Sequence, residues 1–353
     1  MKYSLPNYAD VKGDLPSGPL GADPDVAYES GYVGAYFDPH EYDVMRDTMT
    51  REGLPFRMSD VAHEYGFAGQ AKEGVYLLYK EIEALGLPLR TISRVSQPVG
   101  NCVSRGTQNA LYHLLCVDVR HGHGTLPPGI HEAAKNCNPI SSEVNYWWKW
   151  PGSRPGSDGW YAGACLRAAK EHGGVLVRRD FRDIGGPDLR TETKQTAHAY
   201  AAESVPEAIK REMHQHPLQA YAECESFEEV ADAIASGYPV QTDGGEGWAK
   251  SVDEHGVAHK QGSWSHSMCV TGIITTPEFK ARYNTAGGLV IQNSWGAYFK
   301  NDHARIMGTS QGLPDGAFVA LWDDCKRRSF YAVSSLKGWP PRRMPSWRMA
   351  DLI

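Results

Sequence analysis

The spacing of the hydrophobic residues changes near residue 237. Before that point they recur every three or four positions in several segments, which is typical of helices with one apolar face. After it they form short apolar runs bounded by glycine, proline and polar residues, which is typical of strands. Helices first and strands later predict an α+β protein.

The pattern also predicts individual elements. Helices are predicted at residues 60–65, 72–85, 205–215 and 226–236, and a turn followed by a helix is predicted at residues 158–171. A further helix of about four turns begins at Cys102. Strands are predicted at residues 237–242, 266–274, 288–292 and 316–322, with a hairpin over residues 250–263. The glycine-rich segment 244–247 is predicted to be a loop at a cleft.

The two ends of the chain differ from its middle. Residues 1–40 are rich in proline, glycine, aspartate and tyrosine, which predicts an extended arm and no helix. The predicted division is an N-terminal extended arm and helical segment at residues 1–90, a main domain at residues 91–336 and a C-terminal tail at residues 337–353.

Composition and charge exclude several classes of function. The chain has 353 residues, 41% of them hydrophobic, and a net charge of −6, which gives no electrostatic case for binding nucleic acid or an anionic membrane. No apolar stretch approaches the ~20 residues that span a bilayer, and the N-terminus lacks a signal-peptide core. Seven scattered cysteines without a Cys-x-x-Cys pair indicate a reducing compartment. We therefore expect a cytoplasmic protein.

The candidate chemistry lies in three separate segments. The apolar strand 288–292 leads directly into Asn293-Ser294-Trp295-Gly296, a histidine lies at position 266, and Cys102 follows Gln97 and opens the helix described above. A thiol becomes a nucleophile as the thiolate, which is favoured by a helix N-terminus and by a nearby imidazole. Cysteine, histidine and asparagine in this order predict a nucleophile, a base and a group that orients the base.

These motifs resemble those of the papain-like cysteine peptidases, in their bacterial and phage-type branch, over about residues 95–335. The resemblance implies a two-lobed fold, with Cys102 on a helical lobe and His266 and Asn293 on a β-rich lobe. It also implies that Trp295 shields the bond between His266 and Asn293. Gln97 and the backbone N–H of Cys102 would form the oxyanion hole. Gln97 is five residues before Cys102, where the family typically has six.

Substrate and ligand predictions follow from the same resemblance. Gly159 and Trp160 align with the stretch whose backbone pairs with an extended peptide in the family, and Trp295 is a further predicted substrate contact. No cofactor is predicted, and no metal site is predicted because the spacing of three histidines and a cysteine matches no standard zinc pattern. These four residues are His121, His123, His131 and Cys137. The cluster Trp147, Trp148 and Trp150 is interpreted as core or interface packing rather than as a binding surface.

Three functions remain open from the sequence. The first is a cysteine peptidase that acts on a peptide or protein through a Cys102 thioester, its N-terminal segment acting as a propeptide-like or docking element. The second is a papain-fold assembly component of a larger particle such as a phage virion, attached to protein partners through the N-terminal arm and the tryptophan-containing tail. The third is a transferase that uses the same triad with an amine acceptor.

Overall fold

The computed structural model describes residues 39–89, 97–135, 138–149, 159–200, 204–296, 298–334 and 338–348. The predicted arm up to residue 38 and both predicted domain boundaries, near residues 90 and 336, lie outside the described residues. What is described has the predicted α+β composition, with a mainly helical lobe followed by a β-rich lobe.

The helices of the described residues are numbered in chain order. They are α1 (Pro39–Arg51), α2 (Met58–Glu64), α3 (Tyr79–Ala84), α4 (Cys102–Arg120), α5 (Ile130–Ala133), α6 (Glu143–Trp147), α7 (Ala162–His172), α8 (Lys194–Ala197), α9 (Glu207–Met213), α10 (Phe227–Ala235), α11 (Pro277–Tyr283) and α12 (Trp322–Cys325). A 3₁₀ turn covers Arg182–Ile184. Of the helices described, none is long and apolar enough to cross a membrane.

Seven strands form one sheet in the β-rich lobe. They are β1 (Val75–Leu77), β2 (Tyr221–Glu223), β3 (Val240–Val252), β4 (Ala258–Ile274), β5 (Gly288–Gln292), β6 (Ala317–Leu321) and β7 (Ser329–Val333). The order is β2-β7-β3-β4-β5-β6, and all pairs are antiparallel. Strand β1 pairs with the C-terminal end of β4, after the last residue of β4 that pairs with β3. The predicted hairpin is confirmed, because β3 and β4 pair as far as Val252 and Ala258.

Two sequence predictions are wrong here. Residues 72–85 were predicted to be one amphipathic helix, but the first part is strand β1, whose three side chains are all buried. Helical and strand spacing cannot be distinguished over so short an apolar run, and pairing with β4 decides the outcome. The segment 244–247 is not a loop, because it lies inside β3 with irregular register.

Helix α4 is the centre of the helical lobe. Its side chains are buried from Cys102 to Asp118, and it packs against α3, α7 and strand β4. The contact with β4 is close, because a Cβ added to Gly106 would lie 2.6 Å from Ser267 Oγ and 3.3 Å from the Met268 carbonyl oxygen. A glycine at this position therefore lets the helix approach the strand that carries His266.

Residues 39–89 share the core of the rest of the chain. Helix α1 packs on α7, α2 packs on α10, and α3 packs on α4. Met49 and Leu77 are 0% exposed. The helical segment predicted as part of an N-terminal extension is thus covered on its apolar side by both lobes.

The described part of the C-terminal tail also packs on the molecule. Trp339 is 0% exposed and meets the ring of Tyr238 edge to face at 4.8 Å. Arg342 forms a buried ion pair with Asp118 on α4. The predicted role of the tail in attachment to partners stays a prediction.

Candidate active site

Cys102 is the first residue of α4 and follows a tight turn. The Asn101 N–H donates to the Val99 carbonyl at 2.8 Å, which turns the chain into the helix. The thiol is 0% exposed and lies against β4, where the backbone N–H of Ser267 donates a hydrogen bond to it. The structure therefore places the predicted nucleophile beside the residue that follows His266.

His266 and Asn293 meet across the sheet, because β4 and β5 are neighbours. The Nε2 of His266 is 2.8 Å from Asn293 Oδ1, and the same oxygen accepts a hydrogen bond from the Ser294 N–H at 2.7 Å. Since this oxygen can only accept, Nε2 carries the proton. The other ring nitrogen, Nδ1, makes no hydrogen bond within the described residues.

Trp295 covers this hydrogen bond. Its ring stacks on the His266 imidazole with centroids 4.3 Å apart and an angle of 26° between the planes. Trp264 meets Trp295 edge to face at 4.7 Å. All three members of the predicted His-Asn-Trp group thus lie together and are at most 2% exposed.

Burial keeps the thiol and the imidazole neutral in this structure. Burial raises the pKa of Cys102 to about 12, and burial lowers the pKa of His266 to about 3. The bond to Asn293 acts in the opposite direction on His266, and Arg328 lowers the pKa further. The thiol therefore keeps its proton until water, substrate or a movement changes the surroundings.

Gln97 contacts both ends of the site. Its Nε2 donates to the Val99 carbonyl at 3.1 Å, within the turn before Cys102, and its Oε1 accepts from the Ser294 hydroxyl at 2.6 Å. Its backbone N–H donates to the Ser294 carbonyl at 3.1 Å. Gln97 therefore joins the Asn-Ser-Trp-Gly segment to the turn that precedes α4.

A buried glutamine that the sequence analysis did not single out joins the two lobes. Gln241 on β3 donates to the Val103 carbonyl of α4 at 3.3 Å and to the Ser267 hydroxyl at 3.0 Å. Its Oε1 accepts from Thr107 at 2.7 Å. One amide therefore ties the first two turns of α4 to the strand that carries His266.

One of the predicted substrate residues, Gly159, contacts the turn before Cys102. The Gly159 N–H donates to the Gly100 carbonyl at 3.0 Å, and Gly159 has a φ of 85°, in the region that favours glycine. Trp160 is 7% exposed, so most of its ring is packed against protein. The predicted tryptophan core packing holds for Trp147, which is 2% exposed and donates from Nε1 to the Thr196 carbonyl at 2.9 Å. Trp150 lies outside the described residues.

Charged residues near the site were also missed. Asp243 on β3 is 2% exposed and raises the pKa of Cys102, and Arg328 beside β7 is 6% exposed and lowers it. The polar residues that follow Val240 were the feature of the sequence that could have indicated Asp243 as a site residue. The run Lys326-Arg327-Arg328 gives no indication of which basic side chain turns inward. Across the part of the chain that is described, no three histidine, cysteine or acidic side chains are grouped as metal ligands.

No protein-family model matches the chain, and no curated protein matches it in sequence. Among solved structures, xylellain, a cysteine protease from Xylella fastidiosa, is 10% identical with a TM-score of 0.48, covering 91% of this chain and 98% of that one. Digestive procathepsin L 3 of Tenebrio molitor larval midgut is 14% identical with a TM-score of 0.39, covering 87% and 94%. ProCathepsin B S9 from Trypanosoma congolense is 12% identical with a TM-score of 0.42, covering 74% and 77%.

These structures are a cysteine protease and two procathepsins. The bacterial or phage branch is not tested by them. Because the identities lie between 10% and 14%, the function proposed below rests on the geometry of the site.

Proposed function

We propose that this protein is a cysteine peptidase that cleaves peptide bonds with Cys102, His266 and Asn293. The observation that carries the proposal is the state of the His266 ring. Nε2 is committed to Asn293 at 2.8 Å, Trp295 covers that bond, and Nδ1 has no hydrogen bond within the described residues. The ring is therefore oriented and retains a basic nitrogen, as a general base requires.

The proposed reaction has two halves. The Cys102 thiol gives its proton to Nδ1 of His266, and the thiolate attacks the peptide carbonyl carbon. The oxyanion accepts hydrogen bonds from the Cys102 N–H and Gln97, and the imidazolium then protonates the leaving amine as the C–N bond breaks. Water, deprotonated by the same imidazole, hydrolyses the thioester and restores the thiol. Gly159 and Trp160 would contact the substrate backbone, and Trp295 would keep water from the His266–Asn293 bond.

The described state is closed and needs a change before reaction. Cys102 is 0% exposed, and the pKa order of thiol and imidazole keeps both neutral. We expect activity to require exposure of the sulfur, by movement of a covering segment or by binding of substrate. Bound peptide or water would then stabilise the thiolate and the imidazolium.

A peptide-library assay combined with an epoxide that labels active-site thiols tests the proposal. Wild-type protein is expected to cleave peptides and to be labelled on Cys102, and Cys102→Ala is expected to lose both. The matched control is Cys116→Ala on the same helix, whose thiol is also buried. Cleavage by Cys102→Ala at the wild-type rate would refute the proposal.

A second candidate function is an assembly component of a larger particle. It is favoured by the burial of Cys102, His266, Asn293 and Gln97, which are each at most 1% exposed. A wild-type protein that neither cleaves nor labels from pH 5 to pH 9, after removal of any covering segment by limited proteolysis, would support this candidate. An amine acceptor added to the assay separates hydrolysis from transfer, because a transferase would yield the amide of the added amine.

A further inference from the structure

Arg328 precedes β7, and its side chain is 0% exposed. Its Nη2 donates to the main-chain carbonyl of His266 at 2.7 Å, and to the Thr242 carbonyl at 3.3 Å. Its Nε donates to Thr242 Oγ1 at 3.0 Å. One guanidinium therefore connects β3 to the main chain of the predicted base on β4.

The guanidinium lies among carboxylates. Nη1 is 3.8 Å from Glu246 Oε2, and Asp243 interacts with Arg328 electrostatically. Glu246 is 7% exposed and Asp243 is 2% exposed. The groups that face the guanidinium are Asp243 and Glu246 on β3, His266 on β4, Cys102 on α4, and Cys325 on α12.

The space for this side chain is made by a glycine. A Cβ added to Gly244 would lie 2.5 Å from Arg328 Cγ and 3.1 Å from Nη1. Gly244 is also the register partner of His266 in the β3–β4 pair. The absence of a side chain at Gly244 therefore lets a long cation enter directly beside the histidine. The Trp248 ring lies 5.4 Å away on another side.

The charges have opposite effects on the nucleophile. Asp243 raises the pKa of Cys102, whereas Arg328 lowers it. Arg328 also lowers the pKa of His266. Loss of the cation would leave the buried Asp243, which acts on the thiol, without its partner, and an uncompensated buried charge is strongly unfavourable.

We propose that Arg328 is a positioning residue for the Cys102–His266 pair. Its hydrogen bonds fix the backbone that carries the imidazole, and its charge offsets that of Asp243, which acts on the thiol. The inference rests on the proposed peptidase function, but it concerns the reactivity of the thiol and the imidazole and can be measured without peptide cleavage.

The test is the pH dependence of Cys102 alkylation by iodoacetamide in the full-length protein. In Arg328→Met the midpoint is expected about one pH unit above wild type, which is a roughly tenfold slower reaction below both midpoints. Arg328→Lys is expected to lie between the two, because lysine keeps the charge and loses the planar set of donors. Asp243→Asn removes the opposing charge and is expected to lower the midpoint.

The matched control is Arg342→Met, another buried arginine, which pairs with Asp118 in the last turn of α4. Its midpoint is expected to equal that of wild type. A wild-type midpoint in both Arg328→Met and Asp243→Asn would overturn the inference, and so would an equal shift in Arg342→Met. Circular dichroism identifies any variant that fails to fold. If Arg328→Met does not fold, the midpoints of Arg328→Lys and Asp243→Asn test the inference.

A second readout keeps this inference separate from the proposed function. Long-range proton–nitrogen NMR follows the protonation of His266. In Arg328→Met the pKa of His266 is expected to rise, because a neighbouring positive charge has been removed. If the wild-type thiol does not react at any pH, the peptidase proposal loses support, while an unchanged His266 titration in Arg328→Met would overturn the role of Arg328.

Discussion

Asn293 fixes the orientation of His266 through one oxygen. That oxygen accepts from His266 Nε2 at 2.8 Å and from the Ser294 N–H at 2.7 Å, so the amide cannot turn without losing both bonds. This arrangement leaves Nδ1 as the basic nitrogen of the ring. The activity of the site is therefore expected to depend on the amide and not only on the presence of a histidine.

Asn293→Ala is expected to lower kcat/KM about tenfold, which corresponds to ~1.4 kcal/mol and is typical of one lost hydrogen bond. The measurement is steady-state cleavage of the best library peptide. Asn301→Ala is the matched control, because Asn301 is also buried and donates to the carbonyls of Pro314 and Ala317 at 2.7 Å. An equal loss of kcat/KM in the control would show that the effect is structural.

Asp243 predicts how stability changes with pH. Burial raises its pKa from 3.8 to about 6, so the folded state holds the proton at a higher pH than the unfolded state. The resulting stabilisation is complete below pH 4 and is lost as the pH rises through 6. The difference in unfolding free energy between wild type and Asp243→Asn is expected to change by about 2 kcal/mol between pH 4 and pH 7, wild type losing stability.

Chemical denaturation of both proteins across that range measures the difference. A difference that stays constant with pH would contradict the assignment of the proton to Asp243.

Of the residues of the candidate site, the motifs identified Cys102, His266, Asn293 and Gln97 from the sequence. Asp243 and Arg328 could not be predicted, because inward or outward direction depends on the neighbouring strands and not on local spacing.

At the scale of elements, the site depends on how closely α4 approaches β4. Gly106 faces Ser267 and Met268 across this contact, and Gln241 bridges the same two elements. The helix from Cys102 and the strand at residues 288–292 were predicted from sequence and are confirmed. The sequence did not predict the full length of β3 and β4, and it did not predict strands β2 and β7. These strands pair with segments that are distant in the chain.

Gly106→Ala is expected to destabilise the fold by about 1–3 kcal/mol despite the better helix propensity of alanine, because the added methyl overpacks the helix–strand contact. It should also slow peptide cleavage by separating Cys102 from β4. Gly124→Ala serves as the control, since a Cβ there meets nothing within 4 Å. Equal unfolding midpoints for the two variants in urea would argue against a close contact.

At the scale of the whole molecule, residues 39–89 complete the fold. Strand β1 extends the sheet at β4, and Leu77 packs with Val290 and Val319 in a second hydrophobic cluster. Removing a segment with such contacts would destabilise the rest of the fold. The propeptide-like or docking role predicted for the N-terminal segment stays a prediction.

Leu77→Ala is expected to lower the unfolding free energy by about 2–5 kcal/mol, as for other buried leucines. Leu85→Ala in the same segment should cost less, because Leu85 is only partly buried. A fragment that begins at residue 91 is expected to be unfolded by circular dichroism. A stable, active fragment would instead identify residues 39–89 as a removable extension.

The sequence by itself determined the α+β order of elements and the order of the candidate cysteine, histidine and asparagine. Both predictions follow from local periodicity and from short motifs whose residue types indicate their chemistry. Only the tertiary structure decided that Gln97 lies against Ser294, that Gly244 admits Arg328 beside His266, and that the thiol is buried and neutral. These properties depend on contacts between distant segments and on exclusion of water, and neither is encoded in local spacing.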